Sequence, residues 1–249
     1  MLAELGGRPI SLVRCPQGRA KTCFFQKHDA GMFSAAVHHV DIAGSDGKTE
    51  PYLFVEDAAG LLECVQMGTI EFHGWGSRAA DIERPDRLVI DLDPDEGLDF
   101  EVVKTAAVLV RDRLAARGLA SFPMLTGGKG VHIIAPLVPH AEWLAVKTWC
   151  RAFAEALEAE LPTAFVANMS KAKRKGRIFV DWLRNQRGAT AVLPYSVRAR
   201  AGAGVAVPVS WEQLAETTAG NAYTAADPAA VLAQATRARR ATLSARLPA

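Results

Sequence analysis

The stretch LVIDLDPDEG sets Asp91 and Asp93 two residues apart at the end of a continuous apolar run, Leu88 to Leu92. Residues two apart on a strand project from one face, so the two carboxylates stand side by side while Leu92 points the other way. Such a pair repels itself, and burial at a strand end raises its pKa values unless a hard cation that prefers oxygen ligands offsets the charge. Asp181, within the apolar segment Phe179-Val180-Asp181-Trp182, is a third charge that needs a partner. Three carboxylates can hold two divalent ions about 3.5–4 Å apart, one activating a hydroxyl nucleophile and the other supporting a leaving pyrophosphate. That is phosphoryl-transfer chemistry. The plainer alternatives are an acidic turn capping the next helix, and a salt bridge from Asp181 to Arg177 or Arg184. An EF-hand is excluded, because Glu96 stands where that loop needs Gly and Val102 where it needs Glu.

A second group of residues suits anions. TGGKGVH, Thr126 to His132, puts a hydroxyl, three glycines, Lys129 and a histidine in one tight hairpin, where backbone N–H groups can approach a phosphate. It is not a Walker A loop, since Pro123 replaces the first Gly and Gly130 follows the lysine; a plain β-turn is the alternative. Arg198 and Arg200, two apart after a strand, could both face a triphosphate, or form an exposed loop pair. His73 could contact sugar or phosphate, or serve only in packing. Thr190, at the head of the strand that precedes the arginines, joins the candidate nucleotide-binding set. Phe24 and Phe25, beside Lys27 and His28, could stack on a base, or belong to a core. The cluster Lys171, Lys173, Arg174, Lys175 and Arg177 is either a nucleic-acid contact or a solvated face; Arg237, Arg239 and Arg240 read as a solvated face.

The elements that must position these groups follow from patterning. Over 249 residues, 49% hydrophobic and 22% charged composition is that of a globular enzyme rather than a disordered chain. The net charge of +2 confines any nucleic-acid contact to local clusters. Four scattered cysteines without a CxxC pair argue against a zinc site and a disulfide framework and read as cytosolic thiols. No run reaches the roughly 20 apolar residues of a membrane span and no leader pattern opens the chain, so a cytoplasmic protein is expected. Short strands and loops are expected over 8–40, strands at 52–55, 68–73, 88–92, 121–125, 131–136, 177–183 and 190–196, and helices at 58–67, 99–118 and 141–160. A short helix near Trp211 and a longer one from Asp227 complete the set. The mixture indicates an α+β enzyme. A single domain is expected over 1–249, with an N-terminal lobe at about 1–85, a palm-like catalytic lobe at about 86–200 and a helical tail at about 208–249.

Taken in order, IEFHGW, LVIDLDPDEG, TGGKGVHI and IFVDWLRNQRGATAVLPYSVRAR resemble the polymerase domain of bacterial DNA ligase D, in the archaeo-eukaryotic primase superfamily, from about Gly7 to Leu214. The resemblance implies a primase-type core of two αβ lobes with mostly antiparallel sheets facing an active cleft. It makes Asp91, Asp93 and Asp181 the ligands of two Mn2+ or Mg2+ ions, and Thr126, Lys129 and His132 the holders of the phosphates of an NTP or dNTP. Arg198, Arg200 and His73 fall on the family's nucleotide-binding arginine pair and histidine. Phe24 and Phe25 fall on its stacking pair, and Arg174 with Lys171 and Lys173 on a basic stretch near DNA. It further implies extension of 3′-hydroxyls at DNA breaks in bacterial non-homologous end joining, with Ku and a ligase as partners, close to the nucleoid during repair. In the family a basic helical segment that grips a recessed 5′-phosphate precedes the GRP stretch. Here Gly6 and Gly7 come almost at once, and Arg14, Arg19 and Lys21 are the available substitutes. A noncatalytic DNA-end binding module and a metal-dependent phosphoesterase or nuclease are the competing readings.

Overall fold

The computed structural model describes residues 1–44, 46–237 and 244–248. In chain order the elements are α1 (Leu2–Leu5), β1 (Ile10–Arg14), β2 (Phe24–Gln26), β3 (His38–Ala43), β4 (Thr49–Phe54), α2 (Ala58–Gln66), β5 (Thr69–Gly74), β6 (Arg87–Pro94) and α3 (Phe100–Ala115). These are followed by β7 (Phe122–Leu125), β8 (Val131–Pro136), α4 (Trp143–Glu160), β9 (Phe165–Val166), β10 (Ile178–Asp181), β11 (Ala191–Val192), β12 (Val207–Pro208), α5 (Trp211–Glu216) and α6 (Pro228–Arg237).

Six strands in the order β12-β7-β8-β6-β10-β9 form the larger sheet, antiparallel except between β9 and β10. Alternation along β6 assigns its two faces. Leu88, Ile90 and Leu92 turn toward α3 and α4, where they join Val103, Val110, Val146, Phe153 and Leu157 in the main core. Val89, Asp91 and Asp93 therefore lie on the opposite face, where Val89 packs with Met124, Ile134 and Val192. This second face looks toward a four-stranded sheet in the order β11-β5-β1-β2. Phe72 of β5 buries away from the gap, with Ile10, Leu12 and Cys64, so Glu71 and His73 are left on the inward side. The architecture is α+β, as expected, and β3 with β4 forms a further two-stranded antiparallel sheet beside these two.

Apart from the short α1, which patterning did not indicate, the helices begin within two residues of the expected starts. The Asp99 carboxylate accepts the Glu101 N–H at 2.9 Å, and Ser210 with Gln213 completes a capping box on α5. Two expected strands are shorter than patterning suggested. β10 stops at Asp181, whose carboxylate accepts the Leu183 N–H at 3.0 Å and turns the chain into a 3₁₀ turn, Leu183–Asn185. The stretch 190–196 keeps only Ala191–Val192 as strand, because Pro194 follows and Tyr195 adopts a φ of 67°.

The cysteine reading is corrected in part. Cys15 and Cys23 form a disulfide, with Cα atoms 4.4 Å apart, while Cys64 and Cys150 are buried free thiols. Antiparallel pairing sets Arg14 opposite Phe24, so the residues just outside the ladder are brought face to face across a hairpin. No local spacing rule records that closure.

The turn between β7 and β8 passes so close to β6 that a Cβ on Gly130 would lie 2.4 Å from the Leu92 carbonyl oxygen. Gly130→Ala is therefore expected to lower stability by about 1–3 kcal/mol and the melting midpoint by roughly 2–12 °C. Thermal unfolding followed by circular dichroism measures it.

Candidate functional site

Antiparallel register sets His132 of β8, Asp91 of β6 and Asp181 of β10 in one row across three strands, directly opposite one another and on one face. All three are buried. Arg184, from the turn after β10, lies across the two carboxylates, with Nε 3.1 Å from Asp91 Oδ2 and 3.2 Å from Asp181 Oδ2. His132 Nε2 approaches Asp91 Oδ1 at 3.5 Å. Burial would push the Asp91 carboxyl up, but the charges and hydrogen bonds of His132 and Arg184 hold it well below the usual range. Asp181 goes the other way: burial and the neighbouring Asp91 raise its carboxyl above the usual range, against the opposing charge of Arg184. Asp93, half-exposed, pairs with Arg174 at 2.9 Å and with Lys129 at 3.4 Å.

Asp91, Asp93 and Asp181 are a hard-oxygen donor set, the kind a divalent cation selects. The raised Asp181 carboxyl and the buried, unpartnered Nδ1 of His132 mark a site whose polar groups are incompletely satisfied by the protein. Among the described residues no three acidic, histidine or cysteine side chains converge as a ready-made metal centre. Arg184, Arg174 and Lys129 occupy the carboxylates in this arrangement, so the salt-bridge alternative for Asp181 and the acidic cluster coexist in one site.

The glycine hairpin forms a second wall. Thr126 Oγ1 donates to the Gly130 carbonyl at 2.9 Å and accepts the Gly128 N–H at 3.3 Å, so this hydroxyl braces the loop. Gly127 has φ 68°, and a Cβ there would meet Arg198 and the backbone of Gly204 and Val205 at 2.9 Å. The third wall comes from β5 and the loop after β11. Arg198 donates from Nη1 to the Thr126 carbonyl at 2.9 Å, and its Nε lies 3.1 Å from the Glu71 carboxylate. The Arg19 guanidinium donates to the Arg200 carbonyl.

The three walls enclose a cavity of about 140 Å³ lined by His73, Asp91, Asp93, Thr126, Lys129, His132, Arg184, Arg198 and Arg200. Other sequence candidates stand around it. Asp181 lies behind Asp91, joined through Arg184, and Arg174 reaches the site through Asp93. Thr190 contributes its carbonyl to Arg184 at 3.5 Å. Phe25 is 69% exposed with its ring edge-on to His73 at 6.0 Å between centroids, and Phe24 is 44% exposed, so neither is a core aromatic. Lys27, Lys171 and Lys173 are exposed and do not line the cavity. Arg14 is buried and committed to Gln26 and the Met67 carbonyl, which removes it as a phosphate grip. Of the basic tail cluster, Arg239 and Arg240 lie outside the described residues.

Two residues escaped the sequence reading. Glu71 is a charge within the apolar strand TIEFH, the same signal that singled out Asp181. Asn185 carries no motif signal: its side-chain amide accepts the Val89 N–H and donates to the Val89 carbonyl, both at 2.7 Å. It thereby replaces the strand residue that β10 would have placed opposite Val89, and anchors the turn bearing Arg184.

A family profile described as LigD, primase-polymerase domain, matches residues 1–238. The multifunctional non-homologous end joining protein LigD of Pseudomonas aeruginosa is 42% identical over 223 residues, 90% of this chain and 26% of that protein. The multifunctional non-homologous end joining DNA repair protein LigD of Mycobacterium tuberculosis is 33% identical over 222 residues, 86% of this chain and 29% of that protein. The chain thus spans less than a third of the length of these two relatives. A solved structure of the polymerase domain from Mycobacterium tuberculosis ligase D in complex with DNA superposes with a TM-score of 0.87 at 30% identity, covering 96% of this chain and 84% of the other.

Because Asn185 satisfies two buried backbone groups of β6, Asn185→Ala is expected to cost about 2–4 kcal/mol. The shift of the urea unfolding midpoint at constant slope measures this.

Proposed function

The chain belongs to the LigD primase-polymerase domain family, and on that footing we propose that it is a nucleotidyltransferase that lengthens the 3′ ends of broken DNA from NTP or dNTP substrates. The observation that carries this reading is the register of Asp91 against Asp181, with Asp93 two residues on, in a cavity also lined by Lys129, Arg198 and Arg200. A carboxylate floor opposite a cationic wall suits a substrate with a nucleophilic hydroxyl at one end and a triphosphate at the other.

The reaction joins the primer 3′-oxygen to the α-phosphorus of the nucleotide and breaks the bond to the bridging oxygen, releasing pyrophosphate. The chain's own groups divide that work. Lys129, Arg198 and Arg200 offset the charge of the triphosphate, and the Thr126-braced hairpin offers it backbone N–H groups. His132, beside Asp91, lies where a donor can meet a phosphate oxygen. Arg184 offsets the charge of two facing carboxylates in a buried setting. The exposed Phe25 ring offers a stacking surface at the mouth of the cavity, and the basic stretch with Lys171, Lys173 and Arg174 offers phosphate contacts for DNA. Held by Asp91, Asp93 and Asp181, two manganese or magnesium ions would lower the pKa of the 3′-hydroxyl and support the leaving pyrophosphate.

Non-homologous end joining is the process in which we place it, as the end-filling step ahead of a DNA ligase and in company with Ku. Its relatives carry that process in their names and are much longer than this chain. Among the described residues no helix is long and apolar enough to cross a membrane; a cytoplasmic site of action follows from the DNA substrate.

The decisive assay incubates the chain with a primer-template, manganese and NTPs. Extension is expected, reduced about 100-fold or more by Asp91→Ala or Asp181→Ala. Salt-sensitive DNA binding without incorporation would leave a noncatalytic end-binding module, shortened DNA would indicate a nuclease, and undiminished extension by Asp91→Ala would remove the carboxylate floor from the chemistry.

A further inference from the structure

Glu71 is 5% exposed, and its two carboxylate oxygens hold three groups, one from His73 on the same strand and two from the adjacent residues Arg198 and Ala199. Oε1 accepts the Ala199 N–H at 2.7 Å; Oε2 accepts from Arg198 Nε at 3.1 Å and lies 2.7 Å from His73 Nε2. His73 and Arg198 both line the cavity. Arg198 in turn donates to the Thr126 carbonyl, so the carboxylate is linked through one guanidinium to the glycine hairpin on the opposite wall.

The protonation states follow from these contacts. Burial would raise the Glu71 carboxyl, but the hydrogen bond from His73 and the charge of Arg198 bring it down to about 2. An ionised carboxylate only accepts hydrogen bonds, so the proton in the His73 contact belongs to Nε2. Burial pushes the His73 ring below its ordinary pKa, against the pull of Glu71, and keeps it neutral. Its other nitrogen, Nδ1, then carries a lone pair. A histidine without such a partner has two tautomers of similar energy, and an arginine without one sweeps many rotamers; each would have to be ordered when ligand binds.

We propose that Glu71 is a positioning residue for the incoming nucleotide: one buried carboxylate locks the tautomer of His73 and the direction of Arg198, so that both meet the ligand already arranged. The proposal rests on the nucleotide-binding reading of this cavity, and adds to it a residue that touches no substrate itself.

Glu71→Gln keeps the size of the side chain but replaces an acceptor with an NH₂ group and removes the charge. The probe is a fluorescent methylanthraniloyl-ATP titrated with magnesium, with His73 followed in parallel by ¹⁵N-labelled histidine NMR. In the parent chain His73 should show the single Nε2–H pattern. In Glu71→Gln that pattern should become a mixture, and the Kd for the probe should rise about 10-fold to 100-fold, with KM for NTP rising more than kcat falls. Glu71→Asp, which keeps the charge, should recover part of the affinity. An unchanged Kd in a folded Glu71→Gln chain overturns the proposal. So does a parent His73 that is protonated at Nδ1 or on both nitrogens, a result that does not depend on any variant folding. A parent chain that binds the probe but never extends a primer refutes the polymerase reading and leaves the role of Glu71 to be decided by the binding data alone.

Discussion

Two carboxylates facing one another in register across adjacent strands, Asp91 and Asp181, impose the constraint to which the rest of the site responds. Side by side and buried, they cannot both stay ionised unless positive charge is supplied at close range. Arg184 supplies it to both, and His132 Nε2 lies beside Asp91. The opposite displacements of the two carboxyls express how unevenly that help is shared: Asp91 has the contacts of both Arg184 and His132, whereas Asp181 has Arg184 and the repulsion of Asp91. A site of this kind is poised to exchange protein cations for others, which is the electrostatic basis for expecting divalent metal here.

The supporting framework is cross-linked by hydrogen bonds around the charges. Asn185 substitutes for a missing strand residue and fixes the turn that carries Arg184. Gly130 lets the hairpin lie against the backbone of β6, and Gly127 lets it lie against the loop of Gly204 and Val205. Arg198 ties that hairpin to β5 through Glu71. Each wall of the cavity is thus bonded to another, although the walls come from two sheets. Phe24 and Phe25, by contrast, are left exposed at the edge strand β2.

Local pattern carried much of this information. The alternation of apolar and acidic residues in LVIDLDP determined that Asp91 and Asp93 share a face, and the glycines of TGGKG determined a tight hairpin with an exposed lysine. The helix cap at Asp99 was equally legible, because a cap is a contact between residues two or three apart. The same locality explains the overlong strands at 177–183 and 190–196: propensity continues past the point where a side-chain bond or a positive φ ends the ladder.

What only the tertiary structure decided is which distant groups meet. Glu71 and Arg198 are 127 residues apart, Asn185 and Val89 are 96 apart, and Cys15 meets Cys23 only because β1 and β2 pair. The sequence by itself determined side-chain direction, since that depends on the two-residue repeat of a strand or the turn of a helix. Register and partner choice depend instead on how whole sheets pack their buried faces, a balance summed over the chain that no short motif contains.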